Sequence, residues 1–421
     1  MVYHPLWRRF WLLVLLLFCC RTASAYKGEE RTVLVINSYT ESFLWTDYAF
    51  DGMINHFNHI GERVKFSMES LNTQLLNSPE DVHARKERFL HSCEALSPKT
   101  IVLLGNPAFI FFRDELRERW RDVPVVLCAD SDYVGSMEAC ISKQEIDPDA
   151  EQPLSEAVQG LNITVIRCPV YVEKTVETMT HLLPEMKRLA LISDRRYVSA
   201  QVRHEVGEVM ARRFPGIEVN YLTNNPLSLD GLIDSIRSYD HTTGILFYSW
   251  IQEKIQLGNR YMQANNYKIL IGITSEPIFS LSDVDIHSGN LAGGCFYSGE
   301  EMGHTLAGVV SQVLDGRNVS QIPWTEAGPA QTTLCYNVLQ AAGIPESLYP
   351  DDAVYLFVPP TFFELYRDQT ILGLLLLLVA VVAAWLYFRY RSKLRKKEMS
   401  MLLKYKTLFD NMPVAFFKHR L

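Results

Sequence analysis

The chain has 421 residues, 48% hydrophobic and 21% charged, enough for two or three globular units and at odds with a disordered or fibrous protein. Its formal net charge of −7 is unevenly spread, because residues 26–370 carry 28 Lys/Arg against 46 Asp/Glu, a net of about −18. Acidity of that size argues against nucleic acid as a partner; it confers solubility, and it would also draw in a cationic ligand.

The chain opens with Arg8-Arg9, the eleven-residue apolar run Phe10 to Cys20 and the small-residue site TASA, the order of a secretory signal peptide cleaved after Ala25. From Arg31 onward, short apolar strands alternate with stretches of helical period. VLVINS is expected as a strand, Thr46 to Phe57 as a helix, VKFSMES as a strand and SPEDVHARKERFLHSCEAL as a helix. TIVLLG and VPVVLCAD follow as strands, with a short helix after Asn106 between them. A polar, acidic stretch separates this series from a second one. There VEKTVETMTHLL, Tyr197 to Phe214, LSLDGLIDSIRSY and IQEKIQLGNRYMQAN are expected helices, alternating with strands RLALISD, IEVNYL, TGILFYS and YKILIGI. Near-continuous apolar strands between helices predict parallel sheets covered on both faces, hence two doubly wound α/β units in series. A last helix is expected from Ser298, where S-x-x-E has the form of a capping box, to a C-cap at Gly316.

Ile371 to Phe388 is an eighteen-residue run without a charge, ending in Trp385 and Tyr387 and followed by Arg389, Arg391, Lys393, Arg395, Lys396 and Lys397. It is expected to be a single transmembrane helix with the C-terminus in the cytoplasm. Beyond it, Leu394, Met401, Tyr405 and Leu408 are spaced as a helical seam between two subunits, or as one face of a basic segment held to anionic lipid.

Six cysteines follow the leader, with no C-x-x-C, so zinc and thioredoxin-like chemistry have no support. Cys140 and Cys168 bracket the acidic stretch that a disulfide could staple; for most of the others, Cys128 above all, a buried free thiol is expected. No G-x-S-x-G, H-E-x-x-H, Walker loop or G-x-G-x-x-G is present, and nothing calls for a cofactor or a metal. His204 with Glu205 and Glu208 reads as a solvated helix face. In open parallel sheets ligands bind beyond the carboxyl ends of the strands. Read there, the candidate ligand-binding residues are Ser38, Tyr39, Trp45, Asn106, Asp130, Asp132, Asp194, Tyr248, Trp250 and Glu276. The same Ser, Asp and Asn residues also suit capping of the helices that follow.

Several segments resemble a known group. VLVINSYTESFLWTDYAFDGM is similar to the opening of the type I periplasmic-binding-protein-like ectodomains of bacterial membrane sensors. GLNITVI resembles the lobe crossover of the related ABC substrate-binding proteins, and HSGNLAGGCFYSGEEMGHTLAGVVSQVLDGR resembles their GG-strand and return helix. AAGIPESLYPDDAVYLFVPPTFFELYRDQTI is similar to the segment leading such receptors into the membrane, and KYKTLFDNMPVAFFKHRL to the opening helix and first strand of a PAS domain. The resemblance implies a two-lobed receptor closing on a small-molecule solute. Lobe 1 would comprise residues 26–166 and 291–360 and lobe 2 residues 167–290, with a region from Met137 to Leu161 inserted relative to the compact pattern. A stalk (361–370), the membrane helix (371–388), a juxtamembrane linker (389–403) and a truncated PAS start (404–421) would follow. It further implies a bacterial inner-membrane protein with a periplasmic N-terminal domain, a homodimer, and a histidine kinase signalling to a response regulator. A diguanylate cyclase is the next candidate output, and a membrane-tethered substrate-binding protein of an ABC transporter is the alternative function.

Overall fold

A computed structural model describes residues 31–40, 44–224, 227–250, 270, 272–284 and 286–411. Residues 31–357 form one unit and those from Val358 another. The expected signal peptide, the helix IQEKIQLGNRYMQAN and the expected PAS strand lie outside the described residues.

In chain order the strands of the first unit are β1 (Arg31–Asn37), β2 (Val64–Ser70), β3 (Thr100–Leu104), β4 (Val125–Ala129), β5 (Tyr133–Val134), β6 (Gln152–Pro153), β7 (Ile163–Arg167), β8 (Arg188–Ser193), β9 (Glu218–Thr223), β10 (Thr243–Phe247), β11 (Ile278–Ser280), β12 (Gly293–Phe296), β13 (Thr325–Glu326), β14 (Gln331–Cys335) and β15 (Val354–Leu356). Six of them make an all-parallel sheet in the order β13-β7-β4-β3-β1-β2. Seven make a second sheet, β15-β14-β12-β11-β10-β8-β9, parallel except that β14 runs antiparallel to β12. The α/β architecture expected from the sequence is thus present, in two lobes.

Alternation along each strand explains the layers. In β1, Leu34 and Ile36 pack under helices Pro79–Ser92 and Asn106–Arg117, while Val33 and Val35 face helices Leu44–Ile60 and Gly299–Leu314. In β8, Leu189 and Leu191 meet helices Val172–Leu182 and Tyr197–Arg213, and Ala190 and Ile192 meet helix Leu229–Arg237. Every residue of β3 and β4 is buried, the signature of a sheet covered on both faces.

Helix Gly299–Leu314 sits unusually close to helix Leu44–Ile60. A Cβ on Gly303 would lie 2.4 Å from the Ala49 carbonyl, and one on Gly52 would lie 2.7 Å from the Glu300 carbonyl. The expected capping box does not form at this helix: Ser298 occupies the N-cap without a side-chain bond, and the Asp283 carboxylate accepts from the Gly299 N–H at 2.6 Å instead. Gly316 follows the C-cap with φ +89°, as expected.

The chain crosses between the sheets three times, at 168–171, 297–298 and 327–330. Residues from 291 onward therefore do not return together to the first lobe, as the expected boundaries had it. β12, β14 and β15 join the second sheet, where β11 offers the neighbouring edge, and only helix Gly299–Leu314 and β13 go back to the first. Most of the expected strand YKILIGI lies outside the described residues; its Gly272 and Ile273 form a turn, and Ile278–Ser280 pairs with β10.

The proposed Cys140–Cys168 disulfide is absent, and the six cysteines of residues 93–335 are buried free thiols. Cys140 lies in the core under one face of the first sheet and Cys168 under the other, its Sγ 3.6 Å from Met302 Sδ.

In the second unit, Thr361 and Glu364 form a reciprocal capping box at Phe362–Leu365. A single 44-residue helix, Arg367–Asp410, then runs through the apolar stretch and the basic segment. It is long and apolar enough to cross a membrane, and the segment expected as a juxtamembrane linker is helical.

Candidate functional site

The carboxyl ends of strands from both lobes converge beside the crossovers on a cavity of about 110 Å3. Lobe 1 contributes Tyr39, Trp45 and Asp130; lobe 2 contributes Arg196, Tyr248, Trp250 and Asp283. With Phe247, Phe296 and Tyr297, seven of the lining residues are aromatic, so the cavity is apolar with a few converging polar groups.

The polar groups are fixed from behind. Tyr39 donates its hydroxyl hydrogen to Asp130 Oδ2, and Asp130 Oδ1 accepts from the Asn106 N–H at 3.0 Å. Gly105 makes this possible: its φ is +89°, and a Cβ there would fall 2.9 Å from both Asp130 Oδ2 and Ser38 Oγ. Burial raises the Asp130 carboxyl above its usual range, and burial followed by the Asp130 charge raises the Tyr39 phenol. Across the cleft, Arg196 Nε lies 3.0 Å from each Asp194 oxygen, and its Nη2 donates to Ser249 Oγ at 2.6 Å. Burial alone would raise Asp194, but the Arg196 charge and bonds from Ser199 and Ser249, each 2.7 Å, hold it below the usual carboxylate range. The pair is therefore ionised. Its guanidinium lies 5.6 Å from the Tyr39 ring centroid, a cation–π contact joining the lobes. Trp45 donates its indole N–H to the Tyr297 hydroxyl at 3.1 Å, tying lobe 1 to a crossover. Trp250, a lining residue, is 1% exposed, and its buried indole N–H has no acceptor among the described residues.

The insertion after β5 reaches across to lobe 2. The Tyr197 hydroxyl donates to Glu151 at 2.5 Å and accepts from the Gly135 N–H at 2.6 Å, while Arg203 Nε donates to Glu145 at 2.9 Å. Arg195 Nε donates to the Lys143 carbonyl at 3.1 Å.

Of the candidate residues, the structure brings Tyr39, Trp45, Asp130, Tyr248 and Trp250 around this cavity. Ser38 and Asn106 serve the scaffold. Ser38 Oγ bridges the Gly105 carbonyl and the Ala108 N–H, and the Asn106 amide donates to the Ser131 and Tyr133 carbonyls. Asp194 stands behind Arg196, and Asp132 pairs with Arg167 on a neighbouring cavity. Glu276 lies outside both cavities, in a turn where its N–H donates to Thr274 Oγ1 at 3.0 Å. Arg196, Asp283, Phe296 and Tyr297 escaped the sequence reading. Arg196 had a readable signal, two arginines directly after a strand ending in Asp194; Phe296 and Tyr297 had none, because a crossover has no local signature.

No family model matches the chain, and no curated protein matches it. Solved structures do. An ABC domain from Streptococcus pneumonia in complex with L-Trp is 14% identical, covers 78% of this chain and 100% of its own, and superposes with a TM-score of 0.54. A conserved domain protein from Vibrio cholerae O1 biovar eltor is also 14% identical, over 78% of this chain and 99% of its own, with a TM-score of 0.54. At such identity the likeness is one of fold: the first unit has the two-lobed α/β fold of periplasmic solute-binding proteins, and one apolar helix follows it in the chain.

Proposed function

We propose that this chain is the solute-sensing and membrane-spanning part of a bacterial signal-transduction receptor, a sensor histidine kinase in the first instance. The observation that carries the reading is the cavity walled from both lobes, because a solute that contacts both stabilises their apposition. Its aromatic lining, the unpaired Trp250 N–H and the charged groups Asp130 and Arg196 suit a small amphipathic zwitterion. L-tryptophan, which the Streptococcus structure holds, is the first solute to test. The apolar stretch spans the inner membrane, and the basic residues after it put the C-terminal end in the cytoplasm by the positive-inside rule. The likeness of KYKTLFDNMPVAFFKHRL to a PAS opening favours signalling.

The second reading is a membrane-tethered substrate-binding component of an ABC transporter, favoured by the Streptococcus neighbour, which is described as an ABC domain. One experiment separates the two. The full chain in nanodiscs is titrated with amino acids and sugars while its melting is followed, and Leu394→Cys reports chain-to-chain cross-linking. The solute raises the melting temperature, Trp250→Phe weakens binding about tenfold, and solute alters the cross-linking rate. Undiminished binding by Trp250→Phe and Arg196→Met would remove the cavity as the site. Binding without any change in cross-linking would favour the transport reading.

A further inference from the structure

The insertion is anchored in lobe 1. Cys140, Ile141, Leu154 and Ala157 are buried in the core of that lobe, and β6 pairs antiparallel with β5. From this base it grips the start of helix Tyr197–Arg213, which follows β8 in lobe 2. Tyr197 is 3% exposed and packs into the lobe 1 core. Its hydroxyl is enclosed by lobe 1 groups, donating to Glu151 at 2.5 Å and accepting from the Gly135 N–H at 2.6 Å. Gly135 permits that approach, since a Cβ there would lie 2.3 Å from Glu151 Oε1 and 2.9 Å from the hydroxyl. One turn on, Gln201 Nε2 donates to the same carboxylate at 3.0 Å.

Arg203 extends the grip towards the solute cavity. Its side chain is almost wholly buried, and it meets the insertion through Glu145, with Nε at 2.9 Å and Nη2 at 2.8 Å. On its other side Nη1 donates to Ser193 Oγ at 3.1 Å and to the Asp194 carbonyl at 2.5 Å. Asp194 in turn holds Arg196 on the wall of the first cavity. One guanidinium therefore joins the insertion to the strand end that carries the cavity's cation. Hinge motion about the three crossovers has to break these bonds and strip Arg203 of its carboxylate.

We propose that the insertion is a latch that keeps the two lobes apposed before any solute arrives. Apposition held in this way raises the apparent affinity of the cavity, because the binding-competent state is already populated. By reciprocity, a solute that contacts both lobes tightens the latch. The full chain in nanodiscs carries donor and acceptor dyes on Glu118→Cys in lobe 1 and Glu185→Cys in lobe 2, both exposed positions. Cys19→Ser and Cys20→Ser leave the six buried thiols as the remaining native cysteines. Single-molecule energy transfer is read with no solute added, so the result does not depend on whether the first cavity binds one. The parent should give one narrow population. Tyr197→Phe/Glu145→Ala/Glu151→Ala, which changes no residue lining the first cavity, should raise the ratio of separated to apposed lobes about tenfold or more. Arg212→Gln/Arg213→Gln, on the same helix but paired with Glu173 and Glu177 inside lobe 2, should leave that ratio within about twofold. Dyes on Glu185→Cys and Asp230→Cys, both in lobe 2, should report no change, which separates opening from unfolding. The proposal is overturned if the parent's lobes are already separated without solute, or if the latch variant keeps the parent's distribution. It is equally overturned if the arginine variant opens the lobes as far, or if the lobe 2 dye pair shifts along with the latch variant.

Discussion

Glu205 carries a pH dependence that can be separated from everything around it. Its carboxyl titrates at about 7 in the folded chain against an ordinary value of 4.5, because burial and then Asp132 and Glu208 disfavour its charge. Between those values the folded state holds a proton that the unfolded state has released, so stability falls as pH rises through the window and levels off above it. The shift corresponds to at most about 3 kcal/mol, which solvent screening at this partly exposed site cuts to about 1 kcal/mol. Glu205→Gln should therefore match the parent at pH 4 and exceed its stability at pH 8 by about that amount in urea unfolding. Equal slopes for the two proteins would show that Glu205 does not carry the effect. Arg196 illustrates the converse, a buried ion pair whose two charges persist because Ser199, Ser249 and each other replace water. Such residues were half legible: the sequence places Asp194 at a strand end with two arginines directly after it, but nothing local says that Tyr39 of the other lobe will stack on the second of them.

At the scale of elements, the contact between helices Leu44–Ile60 and Gly299–Leu314 joins segments far apart in the chain and sets where the crossover at 297–298 leaves the lobe. A methyl group at position 303 would meet backbone, which cannot swing aside. Gly303→Ala should cost about 1–3 kcal/mol and lower the melting temperature, whereas Gly308→Ala on the same helix, where a Cβ meets nothing within 4 Å, should leave it unchanged or slightly higher. Matching losses in the two variants would assign the effect to the helix rather than to the close approach. Elements with strong period were readable. TIVLLG, VPVVLCAD and RLALISD became buried strands because every second residue meets a different helix layer. GGCF was placed in the wrong lobe, since a four-residue apolar strand says that it is buried but not beside which sheet. Likewise the spacing of Cys140 and Cys168 suggested a bridge, while a whole sheet stands between them.

On the scale of the molecule, the two-lobed plan was legible because alternating strands and helices restart after the acidic insertion, and the long apolar helix because eighteen uncharged residues precede a basic cluster. The latching of that insertion onto Tyr197, Gln201 and Arg203 was not legible, because it depends on which helix the second lobe presents. Helix Arg367–Asp410 adds one more property. Forty-four residues at 1.5 Å each make an unbroken rod of about 66 Å, roughly twice the hydrocarbon thickness of a bilayer. Rotational phase set at its N-terminal end is therefore inherited at its C-terminal end. One alanine inserted after Lys397 turns Met401, Tyr405 and Leu408 by about 100° relative to Leu394, whereas seven turn them by only about 20°. Cross-linking through Leu408→Cys should vanish with the single insertion and return with the heptad, as a crankshaft requires and a loose tether does not.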